Sequence, residues 1–272
     1  MKRLVLFVIF VALAFLQGCV LQEMGPDSQD PSKNPSGPAH KVSIYSEISQ
    51  LPSSKVTTDG FWPSDEVGVF IVNYEGDTPG ELKVEGNQAD NVRFTYDENG
   101  DWVSDYDVFY KDNETNVDFY GYYPYADPAS VDAYPFEVAR DQSKESEHGQ
   151  MAPYEASDFL WAKRAGVKPT SSKVILSFHH MMSAARVRLL QGTGWRDAAE
   201  YAAVSKDVLV TSTIRKSTIN LATGEVTPEG EAPLTGIVPM EDNDEYRAIV
   251  VPQTVKAGKE LLVITVDGTP RK

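Results

Sequence analysis

The chain has 272 residues, 41% apolar, 10% aromatic and 24% charged, a composition that can bury a core with room for two domains and is too apolar for wholesale disorder. Its formal charge of −15 has the wrong sign for a protein that must neutralise phosphates, so nucleic acid is excluded as an expected partner. One cysteine makes no internal disulfide, and four histidines beside that single thiol are too few for a cysteine-rich zinc site.

Lys2 and Arg3 precede an unbroken apolar run over residues 4–16, followed by Gln17-Gly18-Cys19. A membrane-spanning helix needs about 20 apolar residues to cross ~30 Å of hydrocarbon, so this run reads as a secretory signal, residues 1–18. Leu16-Gln17-Gly18-Cys19 resembles a bacterial lipobox, with cleavage between Gly18 and Cys19 and acylation of Cys19 by palmitate-type chains. Lipid burial contributes about 0.8 kcal/mol per methylene, and two or three chains anchor stably. The expected address is the outer membrane, with lipid as a partner through Cys19. Residues 19–40 hold Pro26, Pro31, Pro35 and Pro38 among Gly, Ser and Asp, which reads as a flexible tether.

Folded sequence is expected from about residue 41. Val42 and Ile44 alternate with polar neighbours as in a short strand. Residues 66–74 are a β-branched and aromatic run of strand length. Residues 91–96 alternate, and Asn99-Gly100 predicts a hairpin with a type I′ turn before Trp102. Residues 116–125 predict a strand with Val117, Phe119, Gly121 and Tyr123 on one face and Tyr120 and Tyr122 on the other. Residues 141–157 carry little apolar periodicity and read as an exposed loop. Strand character returns at Phe159-Leu160-Trp161-Ala162. The segment 166–172, with Gly166 and Pro169, is the expected domain boundary, dividing 41–168 from 169–272. Further strands are expected at 174–178, 185–190, 207–210, 217–221, 247–251 and 260–266, with a hairpin turning at Thr223-Gly224. Only residues 195–204 have helical spacing. Short strands separated by polar turns predict an all-β chain built of β-sandwiches.

Chemistry is sparse. His179 and His180 are adjacent on a strand and point to opposite faces, so they cannot chelate one metal from that element. The acidic stretches 97–101 and 241–245 read as solvated turns, the first departing from the EF-hand spacing. The common hydrolase and nucleotide-binding signatures do not occur. No catalytic residue, metal site or cofactor is therefore expected. Tyr120 and Tyr122 offer aromatic faces that could stack on sugars, which keeps a surface glycan-binding lipoprotein as the alternative reading, with a glycosidase third.

Lys55-Val56-Thr57-Thr58-Asp59-Gly60-Phe61-Trp62 leading to Val67-Gly68-Val69-Phe70 resembles the entry to the mature domain of Bacteroidetes fimbrillins. The tyrosine strand at 119–125, Asp158-Phe159-Leu160-Trp161-Ala162, and Leu176-Ser177-Phe178-His179-His180 are similar to further family segments, in the same order. The resemblance implies a lipid-anchored surface protein of two tandem transthyretin-like β-sandwich domains that serves as a fimbrial subunit, or as an accessory tip or anchor protein. It implies assembly with other fimbrial subunits by donor-strand exchange, in the service of adhesion. Proteolysis after Lys55, before Val56, would free a first strand whose buried side chains are Val42 and Ile44. A lysine stands where the best-known members have arginine. The chain ends at Lys272 where the family continues through further strands, which leaves open a truncated second domain or a subunit that receives a strand without donating one.

Overall fold

The computed structural model describes residues 39–49, 60–145, 151–242 and 245–271. In chain order these form β1 (Ile44–Ile48), β2 (Glu66–Asn73), β3 (Ala89–Tyr96), β4 (Trp102–Ser104), β5 (Val117–Tyr123), β6 (Tyr134–Glu137), α1 (Pro153–Ala156), β7 (Leu160–Val167), β8 (Val174–His180), β9 (Ser183–Arg188), α2 (Ala198–Ala203), β10 (Lys206–Val210), β11 (Lys216–Ile219), β12 (Val226–Glu229), β13 (Met240–Asp242), β14 (Glu245–Val250), β15 (Leu262–Val266) and β16 (Thr269–Arg271). The fold is all-β, as expected from the short, turn-punctuated apolar runs.

One sheet has seven strands in the order β1-β8-β7-β5-β2-β3-β4; three-stranded sheets β12-β11-β6, β13-β14-β9 and β10-β15-β16 accompany it. The central strands of the large sheet are covered on both faces. From β2, Val67, Val69 and Ile71 enter one core with Phe119 of β5 and Leu176 and Phe178 of β8. Phe70 and Val72 enter a second core with Tyr120, Tyr122, Phe159, Ile219 and Ile249. A strand buried on both sides has no use for polar alternation, which is why residues 66–74 read as a continuous apolar run.

Around the first core the sheet closes on itself. Its two end strands approach each other, and the Trp102 indole N–H of β4 donates to Ser46 Oγ of β1 at 2.9 Å. Strand β8 lies over β5, where a Cβ added at Gly121 would meet the Phe178 ring at 3.0 Å. Gly68 is tighter still: a Cβ there would sit 2.3 Å from the ring of Tyr122, which is buried and hydrogen-bonded through its hydroxyl to Asn91 and the Ala126 carbonyl.

Several local expectations need correction. The hairpin at 97–101 forms, joining Tyr96 to Trp102, but its turn is not type I′. Gly100 has φ +82° while Asn99 keeps negative φ, because the Asp97 carboxylate accepts the N–H groups of Asn99 and Asp101 and sets the turn itself. The segment 141–157 is not wholly exposed. Gln142 is fully buried, and its side-chain amide exchanges two hydrogen bonds with the backbone of Ile249, as a strand would; α1 follows with Tyr154 buried. The segment 166–172, where the domain boundary was expected, runs from the end of β7 into its connection to β8, neighbours in one sheet, and the β6–β11 ladder also spans it. The hairpin at Thr223-Gly224 forms as expected, with Ile219 opposite Val226 and Gly224 at φ +77°. The helical spacing at 195–204 yields α2, whose first turn is capped by Asp197 accepting the Glu200 N–H.

At the end of β8, His180 Nδ1 meets Asp158 Oδ2 at 2.8 Å, pinning the base of the β7–β8 pair. The carboxylate raises the imidazole above its ordinary pKa of about 6.5. The pair therefore contributes its full stabilisation below that ordinary value, and the contribution is lost as pH rises through the raised one. Urea unfolding compared between the wild type and His180→Gln should show a stability difference at pH 5.5 that shrinks as pH climbs past 7.

Candidate functional site

Strand β1 is an end strand of the large sheet and pairs in parallel with β8, from Ile44 opposite Val174 to Ile48 opposite Phe178. Its side chains alternate. Val42 and Ile44 are 3% and 2% exposed and join the first core, Ile48 packs against that core, and Tyr45 and Glu47 face outward. The approach to the strand is tied separately: Val42 N–H donates to the Val108 carbonyl at 2.8 Å and Tyr110 N–H to the His40 carbonyl at 3.0 Å. Lys41 pairs with Asp107 at 2.5 Å, both half exposed, a contact that adds little in water.

The bed beneath the strand is apolar and aromatic. Phe61, Trp102, Val108, Tyr110, Leu176 and Phe178 share the core with Val42 and Ile44, and Phe61 meets both Trp102 and Phe178 edge to face at 5.0 and 5.3 Å between centroids. Tyr110 is buried with no hydrogen-bond partner for its hydroxyl among the described residues, and burial pushes that phenol up to about 12. Full burial of a Val or Ile side chain contributes about 1.5–3 kcal/mol. The strand is therefore held by one ladder and a few apolar side chains, and among the described residues its other edge carries no ladder.

Val42 and Ile44 thus lie together on the buried face of β1 and its approach. Gly18, Cys19, Lys55 and Val56 lie outside the described residues. Tyr120 and Tyr122 are core residues, 4% and 1% exposed. Tyr122 stacks on Phe159 at 6.1 Å, and the Lys163 ammonium sits over the Tyr120 ring at 4.7 Å. Neither ring offers a sugar a free face, because β5 is covered on both sides. His179 is exposed and His180 is held by Asp158. In the second acidic turn, Arg247 pairs with Asp242 at 2.7 Å and Glu245 at 3.7 Å. No group of three or more His, Cys, Asp or Glu is placed to hold a metal among the described residues. Sequence reasoning missed Trp102 and Tyr110 as parts of the β1 bed. Nothing local signals that these residues lie under a strand some sixty positions earlier.

A family model described as fimbrillin-like matches residues 54–271. The chain belongs to the fimbrillin-like family. Among solved structures, a Bacteroides ovatus protein assigned to cell adhesion is similar at 17% identity and TM-score 0.64, covering 85% of this chain and 84% of its own. A Bacteroides uniformis protein with the same assignment is similar at 22% identity and TM-score 0.59, covering 83% and 78%. At such identities the likeness is one of fold. A search of the curated proteins finds no match. In this fimbrillin-like chain the matched span begins at residue 54, just before Lys55 and after β1 has ended.

Ile44→Ala should destabilise the chain by about 2–4 kcal/mol, read as a lower urea midpoint with little change in slope, because the side chain is buried in the core that holds β1.

Proposed function

We propose that this fimbrillin-like chain is a lipid-anchored subunit of a surface fimbria, structural or accessory at tip or anchor, which assembles by donor-strand exchange and serves adhesion. The observation that carries the reading is the position of β1: an end strand, laddered on one side to β8, with Val42 and Ile44 sunk in the core. Cleavage between Lys55 and Val56 would cut the covalent link between that strand and the rest of the fold. Its departure would expose the β8 backbone edge and the apolar slot over Trp102 and Tyr110, and an incoming strand would satisfy both, with main-chain hydrogen bonds for affinity and alternate side chains for register. The family match beginning at residue 54 supports a mature domain that starts at this point. In the same reading, acylated Cys19 carries the precursor to the outer membrane. The alternative glycan-binding role through Tyr120 and Tyr122 draws no support from two rings buried in the second core.

Limited digestion of the native protein with a lysine-specific endoprotease should release β1 and yield a ladder of oligomers on a gel run without boiling. The Lys55→Ala variant should give no ladder; a ladder of undiminished intensity from that variant would refute cleavage-driven exchange.

Labelled palmitate fed to expressing cells should enter the wild-type protein and be absent from Cys19→Ala, whereas equal labelling of the two would remove the lipid anchor from the scheme.

A further inference from the structure

We propose that the cleft between the far half of β7 and the start of β8 binds an acidic saccharide, a sugar unit bearing a carboxylate or sulfate. Its basic lining comes from β7, β8 and their connection, outside the strand-exchange groove, and β1 of the full chain adds Tyr45 to the rim. Strands β7 and β8 are laddered only at Leu160 opposite His180 and Trp161 opposite His179. Beyond that point they diverge, β7 staying with β5 as far as Val167 and β8 joining β1 over the first core. The chain itself closes the far end through residues 168–173. The opening, about 310 Å³, is thus shut at base and tip. It admits a compact group and gives no through-path to an added strand, and its volume lies at the lower end of ligand clefts.

Its lining is basic in an acidic protein. Arg164, Lys168 and Lys173 border it with the Thr170 hydroxyl, while the chain as a whole carries −15. Lys173 is already paired with Asp101, and Asp97 also acts on it. Arg164 and Lys168 have no ion-pair partner among the described residues. Behind them Asp118 is buried and engaged, accepting the Gly166 N–H at 2.8 Å and facing Lys163 at 3.7 Å. Two uncompensated cations therefore face the cleft. The repulsive field of distant carboxylates is screened beyond about 8 Å at physiological salt, so the near cations decide which charge the cleft prefers.

The rim argues for a sugar over a bare anion. Ile175 lines the cleft and lies in register with Tyr45 of β1; the two are 47% and 46% exposed on the outer face. An exposed aliphatic beside an exposed aromatic gives the C–H face of a sugar ring a surface to cover, which inorganic sulfate or phosphate would leave unused.

Titration calorimetry on the full chain at low salt, with digalacturonic acid and a chondroitin sulfate disaccharide as probes, tests this. At least one should bind, weakening with added salt and by about tenfold in the Arg164→Gln/Lys168→Gln double variant. Both changes are at exposed positions, so retained thermal stability will show that the fold is intact. Tyr45→Ala should weaken the saccharide and leave inorganic sulfate unaffected. The proposal is overturned if neither probe binds, if the double variant binds unchanged, if neutral galactobiose binds as well, or if sulfate binds as tightly as the saccharides.

Discussion

The burial of β2 and β5 on both faces is the constraint on which the rest of this molecule depends. Because Val67, Val69 and Ile71 point one way and Phe70 and Val72 the other, the central sheet needs two separate coverings. On one side it supplies its own, by curling until β4 reaches β1. On the other it recruits β6, β9, β11 and β14 from the sequence that follows. Each covering is made of short strands, and the free edges that short strands leave are where the functional features fall.

The β1 edge follows from the first covering. A sheet that closes on itself through a side-chain bond between Trp102 and Ser46, with no backbone ladder between those strands, has a seam, and β1 lies along it. The strand contributes apolar side chains that complete the core and is laddered to β8 alone among the described strands, the balance on which the proposed exchange rests. The basic cleft arises from the same curvature. To cover β5, β8 must leave β7 after two paired residues, and the resulting gap is filled by neither strand. Edge exchange and ligand capture would then be two outcomes of one geometric demand, with Tyr45 on the outer face of β1 placed between them.

The fimbrillin-like match begins at residue 54, after β1 has ended, and Lys55 follows directly. The core beneath β1 is built from residues inside the matched span, while β1 itself lies before it.

Much of this was legible in the residues alone, wherever the deciding physics is local. The alternation of Val117, Phe119, Gly121 and Tyr123 against Tyr120 and Tyr122 assigned two faces correctly, because a strand's period of two is a property of its own backbone. The Thr223-Gly224 and Asn99-Gly100 turns were visible for the same reason, although the side chain of Asp97 and not the asparagine chose the geometry of the second. What the sequence by itself determined was thus the all-β class, the turns, and the pairing of Val42 with Ile44 on one buried face. Only the tertiary structure decided that both faces of β5 are covered, which turns Tyr120 and Tyr122 from surface aromatics into core, that β1 pairs with β8 across more than a hundred residues, and that Arg164, Lys168 and Lys173 border one cleft. Those outcomes depend on which strands meet, and strand meeting is set by the global requirement to cover two apolar faces, which no local pattern encodes.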